Sequence, residues 1–303
     1  MSNEQRAMRN APIRVILDCD TANEIDDQFA IAYALGSPSL DVRGVISVQN
    51  TMIHGVGSVE HYQEEAERVV ALCGKEAEVP CLRGAIGPME TRESPVSSEG
   101  LDFLIAEAKR GPLTIIATGP ITDVASLLLV APEVRENLRI VWLGGFPDVA
   151  TYTRWRLGEL NGRADIAAWR VLFAQPVHLL QLPGWPGVAK LVVEYGPYIE
   201  ELHAMGRPIA TYLAALCTVW QEQRAALGYG PQARKILWDV ANVAAVINPA
   251  AVTVTPIATP TLDVAGAHDF DHPGRIVDIV TDLDAVWILA DLHAALLRLP
   301  VTL

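Results

Sequence analysis

Apolar runs rich in Val, Ile and Leu alternate with segments of helical period along most of the chain, and this alternation constrains the fold more than any other feature. A strand buried on both faces of a sheet needs no polar side, so it reads as a short continuous apolar run. The helix that follows carries the chain back and makes the next strand parallel. Strands are expected at 13–19, 42–48, 113–117, 139–143, 177–181, 251–257 and 276–280. Helices are expected at 25–35, 59–73, 100–110, 121–130, 166–173, 199–226, 240–247 and 283–299. The expected class is α/β: an open, doubly wound, mostly parallel sheet with helices on both faces. No Ser/Gly-rich linker, repeat or low-complexity stretch divides residues 1–303, which read as one domain with 187–230 a candidate helical insert near the site.

Hydrophobic residues make up 50% of the 303 positions and charged residues 19%, ample for a large core and too apolar for disorder. The 36 acidic and 23 basic side chains leave a net charge of −13, which repels phosphate backbones and anionic lipid. Nucleic acid and membranes are therefore not expected partners. The polar start, residues 1–11, has no apolar signal core, and no apolar run is long enough to span a bilayer, so a cytoplasmic protein is expected. Cys19, Cys73, Cys81 and Cys217 form no C-x-x-C pair and suggest neither a zinc site nor a disulfide framework.

Ligands of open α/β sheets bind at the carboxyl ends of the strands, and here those ends are polar. The first strand runs into Asp18-Cys19-Asp20-Thr21-Ala22-Asn23-Glu24-Ile25-Asp26-Asp27, the second into Gln49-Asn50, the third into Thr118-Gly119-Pro120 and the fourth into Gly144-Gly145. Glu24, Asp26 and Asp27 alone would be explained by the macrodipole of the following helix, at about 0.3–1 kcal/mol each. Asp18 and Asp20 make a different case, because four aspartates within ten residues at the end of a buried strand repel one another. A hard dication would relieve this, and oxygen donors without His or thiolate favour Ca²⁺ or Mg²⁺.

Two templates begin with a strand ending in Asp-x-Asp. The Mg²⁺-dependent haloacid-dehalogenase-like phosphatases require Asp-x-Asp-x-Thr/Val, whereas Thr21 stands one place early; Lys190 or Lys235 and Asp278 or Asp282 are the candidates for the rest of such a site. The second template agrees over far more of the chain. The segment 18–27 resembles, with a longer spacer, the Asp-x-Asp-Pro-Gly-x-Asp-Asp signature of the calcium-dependent nucleoside hydrolases of the inosine-uridine family. The resemblance continues in order through 117–125 (ATGPITDVA), 141–145 (VWLGG), Glu159-Leu160-Asn161 with Asp165, and Trp238-Asp239-Val240 leading to Ile247-Asn248-Pro249.

The resemblance implies an enzyme that hydrolyses the N-glycosidic bond of a ribonucleoside, releasing free base and ribose. Asp20, Asp27, Asp239 and the Thr118 carbonyl would hold Ca²⁺, and Asp26 would be the general base. Asn50 would lie beside the attacking water or the ribose, Glu159 and Asn161 would bind ribose hydroxyls, and Asp18 would orient the ligands from behind. The partner would be a small nucleoside, and the chain would assemble as a homo-oligomer, a dimer or tetramer.

Trp238 stands where the pyrimidine-accepting branch of the family has His, as in a purine-specific branch that stacks the base on Trp; purine nucleosides are the expected substrates. The family's early His-Gly loop appears as Ser97-Ser98-Glu99-Gly100 without His, and 148–158 lacks the family's Asn. These departures leave a catalytically altered riboside-binding protein as an alternative. Trp185, flanked by Pro and Gly, reads as a loop anchor with a place at the pocket border as the alternative. Arg154 and Arg156 read as solvated loop charges, and 268–272 as a polar turn.

Overall fold

Strand β1 (Ile13–Cys19) is buried over its last five residues, as an apolar run in the middle of a sheet must be. It pairs in parallel with β2 (Leu40–Ser47) on one side and β4 (Leu113–Ala117) on the other. Beyond β2 lies β3 (Cys81–Arg83); beyond β4 follow β5 (Leu138–Leu143), β6 (His178–Leu182), β12 (Ile276–Leu283) and β9 (Val252–Ala258). The eight-stranded order is β3-β2-β1-β4-β5-β6-β12-β9, parallel except for the antiparallel β12–β9 edge. This computed structural model describes residues 11–230 and 232–302; the polar stretch at 1–10 lies outside them. Two ribbons complete the strands: β7 (Val192–Glu194) with β8 (Arg234–Ile236), and β10 (Thr261–Leu262) with β11 (His268–Asp269).

Helices cover both faces, confirming the expected α/β architecture. The longer ones are α1 (Asp26–Gly36), α2 (Ser58–Leu72), α3 (Glu99–Lys109), α4 (Thr122–Val130), α5 (Val149–Trp155), α6 (Ile166–Ala174), α7 (Tyr195–Ala204), α8 (Pro208–Arg224), α9 (Val240–Ile247) and α10 (Ala285–Arg298). One core, against α1, α2 and α7–α10, includes Phe29, Tyr33, Leu213 and Leu292; the other, against α3, α4 and α6, includes Leu104, Leu127, Trp142 and Trp169. Helix α1 is buried at every position but Leu35, which explains why its sequence after the polar first turn Asp26-Asp27-Gln28 is apolar all round and not amphipathic.

All the expected strands are present, but β3 is not foreseeable from three residues with no period of their own. The helix expected over 199–226 is two helices. Gly206 takes φ +62°, a left-handed conformation suited to glycine at a helix end, and Pro208 begins the next helix where its missing N–H costs nothing. Residues 187–230 form the β7 strand, α7 and α8, lying over α1 and α2.

The chain builds outward from β1 through β2 to β3, then restarts at β4 and proceeds the other way. The switch between β1 and β4 leaves a crevice at their carboxyl ends. Into it emerge the 18–27 segment and Thr118, whose N–H donates to the Asp18 carbonyl at 2.9 Å.

Candidate active site

One cleft of about 720 Å³, counted to its open mouth, occupies that crevice. Asp20, Asp26, Asp27, Thr118, Glu159, Asn161, Trp238 and Asp239 all line it, together with Asn23, Glu24 and Trp185. Residues from four separate strand ends thus meet where the topology requires. Asn50 and Asp18 do not line the cleft. They stand behind it, fully buried.

Asn50 donates from Nδ2 to Asp20 Oδ2 at 2.6 Å, and Asn23 donates to the same oxygen at 3.0 Å. Thr118 Oγ1 donates to Asp27 Oδ1 at 2.7 Å. Asp26 is tied at both oxygens: Oδ1 accepts from Lys235 Nζ at 3.0 Å and Oδ2 from the Trp238 backbone N–H at 2.9 Å. Glu159 accepts the backbone N–H groups of Gly145, Gly162 and Arg163, so it also fastens the turn Asn161–Ala164. Asn161 Nδ2 donates to the carbonyls of Thr118 (2.7 Å) and Leu143 (2.9 Å).

Gly119 lets the β4 loop approach this closely. A Cβ there would lie 2.8 Å from Val48 Cγ1 and 3.0 Å from the Asp20 nitrogen. On the opposite strand-end loop, Ala22 holds φ +82° at the point where the family signature carries glycine.

Burial dominates the electrostatics. It pushes the Asp20 carboxyl up to about 7, against the hydrogen bond from Asn50. It raises Asp27 and Asp239 well above the ordinary carboxylate range, with repulsion from neighbouring aspartates adding to the effect. Asp26 is raised by burial too, while Lys235 acts in the opposite direction. Asp18 is the extreme case. Both its oxygens are buried without a partner among the described residues, and burial, then Asp123 and Asp20, push its pKa well above the ordinary carboxylate range.

Among the described residues no group of three His, Cys, Asp or Glu side chains forms a finished metal cage. The fit to a cation lies in the chemistry of the donors. Among the described residues no protein donor is bonded to Asp239 or to Asp20 Oδ1, while Asp27 is touched by the Thr118 hydroxyl and the Cys19 thiol. With the Thr118 carbonyl, these oxygen atoms suit a hard divalent ion and would cancel the repulsion that burial amplifies.

Two indoles form the other wall. Trp238 is half-buried with its ring centroid 5.0 Å from that of Trp185, edge to face, and Trp185 in turn stacks on Trp155 at 4.5 Å with planes 2° apart. Trp185 therefore borders the cleft while being anchored by Trp155, so the loop anchor and the pocket-border residue are the same side chain. Arg154 lies over the outer Trp155 face, exposed, in keeping with a solvated charge.

Asn23, Glu24 and Lys235 are the residues at the site to which the family resemblance gave no role: Glu24 entered only as a macrodipole charge, Lys235 only as a candidate for a phosphatase site, and Asn23 not at all. The other elements of a phosphatase site are dispersed: Lys190 pairs with Asp282 on the surface at 2.6 Å, and Asp278 faces His178 at the amino ends of the strands. Of the turn at 268–272, Asp269 accepts from Asp271 and His272, while the His268 ring packs with Tyr152 and Trp169.

The architecture is that of the nucleoside hydrolases. It superposes on a plant nucleoside hydrolase, PpNRh1, with a TM-score of 0.74 over 94% of this chain and 99% of that one, at 19% identity. It matches the purine-preferring ribonucleoside hydrolase from Gardnerella vaginalis with a TM-score of 0.74 over 94% and 98% of the two chains, at 20% identity. The family model for inosine-uridine preferring nucleoside hydrolases matches residues 15–287, and the chain belongs to that metal-dependent family of enzymes. A curated relative, the pyrimidine-specific ribonucleoside hydrolase RihA of Salmonella arizonae, is 28% identical over 233 residues, 69% of this chain and 71% of the relative. Family membership sets aside the phosphatase alternative.

Proposed function

We propose that the protein is a Ca²⁺-dependent N-ribohydrolase that adds water across the bond between ribosyl C1′ and a nucleobase, with purine nucleosides preferred. The water oxygen joins C1′, and the base leaves with a proton. The observation that carries this reading is the meeting in one cleft of an oxygen-donor acidic cluster, polar groups suited to hydroxyls, and the face of an indole.

Asp20, Asp27, Asp239 and the Thr118 carbonyl are the residues that would hold calcium. Bound there, the ion would lower the pKa of a water and orient vicinal hydroxyls. Glu159 and Asn161 would bind the ribose. Asn161 keeps Oδ1 available while Nδ2 is engaged, and Asn50 steadies Asp20 from behind. Asp18 supports the cluster from behind, fully buried.

The proton acceptor is Asp26 or Asp20, and the hydrogen bonds favour Asp20. Asp26 has an ammonium on one oxygen and an N–H on the other, which fixes it as an anionic acceptor. Asp20 keeps Oδ1 without a protein donor among the described residues. A positioned carboxylate base contributes roughly 10²–10⁴-fold.

The purine preference rests on Trp238, whose ring offers a stacking surface, with Trp185 beside it. The free cysteines Cys19, Cys73, Cys81 and Cys217 support a reducing, cytoplasmic setting. The dimer or tetramer expected from the resemblance belongs to the same reading and is checked by light scattering.

A panel of ribosides assayed for reducing-sugar release, with and without Ca²⁺, tests the function. Calcium-dependent turnover, fastest on inosine, adenosine or guanosine, is expected. Binding without turnover would favour the riboside-binding alternative, and a preference for uridine would overturn the purine assignment.

A further inference from the structure

The cleft is lined by six carboxylates, and among the described residues only Glu159 has a full set of backbone donors. Glu159 is satisfied by three backbone N–H groups. Asp20, Asp27 and Asp239 are the donors suited to a divalent ion. Asp26 and Glu24 remain, and both are bonded to the ammonium of Lys235. The cationic centres thus divide the acidic wall between them.

Lys235 occupies a position where an apolar residue would be the simpler choice. It is the inward residue of the β8 strand, 5% exposed, between outward Arg234 and the half-buried Ile236, and its ribbon partner Val193 is buried. Burying an ammonium with two carboxylates gains little stability over apolar packing, since desolvation offsets the attraction. The same strand leads directly to Trp238, whose N–H holds the other Asp26 oxygen, and to Asp239. Glu24 belongs to the part of the 18–27 segment that is longer than the family signature. Lys235 therefore fastens this added segment to Asp26 at the wall of the cleft.

We propose that Lys235 is a positioning residue of the reaction, which fixes Asp26 and Glu24 together as anionic acceptors facing the substrate. The proposal rests on the ribohydrolase reading above. It predicts that Lys235 and Glu24 act as one unit and that their loss affects turnover more than metal binding.

The test compares wild type, Lys235→Met, Lys235→Arg, Glu24→Gln and the Glu24→Gln/Lys235→Met double variant, in kcat and KM for the best riboside and in calcium titrations followed by melting temperature. Lys235→Met is expected to lower kcat/KM by at least about thirtyfold, mostly in kcat, with calcium affinity within about threefold of wild type. Lys235→Arg should recover at least a third of that loss on a logarithmic scale. Glu24→Gln should cost about three- to tenfold, and the double variant should be no worse than Lys235→Met alone, the non-additivity of a shared unit. Folded Lys235→Met with kcat within threefold of wild type, a loss matched by an equal loss of calcium affinity, or multiplicative effects in the double variant would overturn the proposal. If Lys235→Met does not fold, Glu24→Gln and Lys235→Arg decide it: wild-type kinetics in Glu24→Gln defeat it, and a three- to tenfold loss there with activity kept in Lys235→Arg supports it. A wild-type chain inactive on every riboside would overturn the ribohydrolase reading itself, and this proposal with it.

Discussion

Asp20 and Asp26 stand in the same ten-residue segment and face the same cleft, yet their hydrogen bonds assign them different work. If Asp20 accepts the proton, Asp20→Asn should lower kcat by roughly 10²–10⁴ and weaken calcium binding as well, because the amide lacks both basicity and charge. Asp26→Asn should then keep calcium affinity and lose less in kcat. Steady-state kinetics with calcium titrations separate the cases, and the larger kcat loss in Asp26→Asn would return the base role to Asp26. Trp238 is open to a separate test. Stacking is worth about 1–3 kcal/mol per base in nucleic-acid binding, so Trp238→Ala should reduce kcat/KM for purine nucleosides by roughly 5–150-fold, with less effect on uridine. An inosine rate indifferent to the change would leave Trp238 a packing residue. Most of these side chains are legible in the sequence because a strand end announces the rim on which they sit. Lys235 is not, because a single lysine in a three-residue strand carries no period, and only its distant partners reveal which way it points. Trp185 is half legible: its Pro and Gly neighbours mark a loop, while the second indole that anchors it is thirty residues earlier.

At the scale of elements, strand and helix positions follow from apolar runs and helical period because burial on both sheet faces leaves little choice of residue. Breaks are harder to read. Gly206 and Pro208 end one helix and begin another within a segment whose period looks continuous, and β3 exists only because β2 offers it an edge. Long-range polar ties between elements are equally silent in sequence. Glu107, at the amino ends of the strands and remote from the cleft, is 2% exposed and joins α3 to β1 and β2 by accepting from Arg14 Nη2 at 2.7 Å and Arg43 Nε at 3.2 Å, with Arg110 of its own helix end on the other oxygen. Burial would raise its pKa, but the bonds from Arg14 and Arg43 outweigh that and hold it below the ordinary glutamate value. A depressed carboxylate contributes stability that is complete above the unfolded pKa and disappears as pH falls through the folded one. Glu107→Gln should therefore cost roughly 1–3 kcal/mol near neutral pH, read as a lower urea midpoint, and nothing at a pH below the folded value. Its kcat should match wild type, since the bonds it removes lie at the other end of the sheet.

At the scale of the whole molecule, the acidic cleft is a defect in an otherwise apolar design that the proposed metal would correct. The repelling groups come from the first loop and from the start of α9, segments at opposite ends of the sequence that the sheet brings together. Asp20 and Asp27 press against Asp239 across the switch point, and burial increases the cost of keeping them all charged. An ion that binds this arrangement and not the unfolded chain stabilises the fold by mass action, by about 2.7 kcal/mol when it is present at a hundred times its Kd. For a chain of this size that corresponds to a rise in melting temperature of roughly 5 °C. Chelation should remove the rise and Asp239→Asn should abolish it, because the ion would then no longer bridge the two segments. Lys235 supplies a second, permanent tie between the same regions through Asp26 and Glu24, so the chelated protein should still melt cooperatively and refold on adding calcium. Calorimetry of the metal-free protein, with calcium added back at pH 7.5, reads all of this in one series. A melting temperature unmoved by calcium, or moved equally in Asp239→Asn, would mean that these carboxylates do not share an ion.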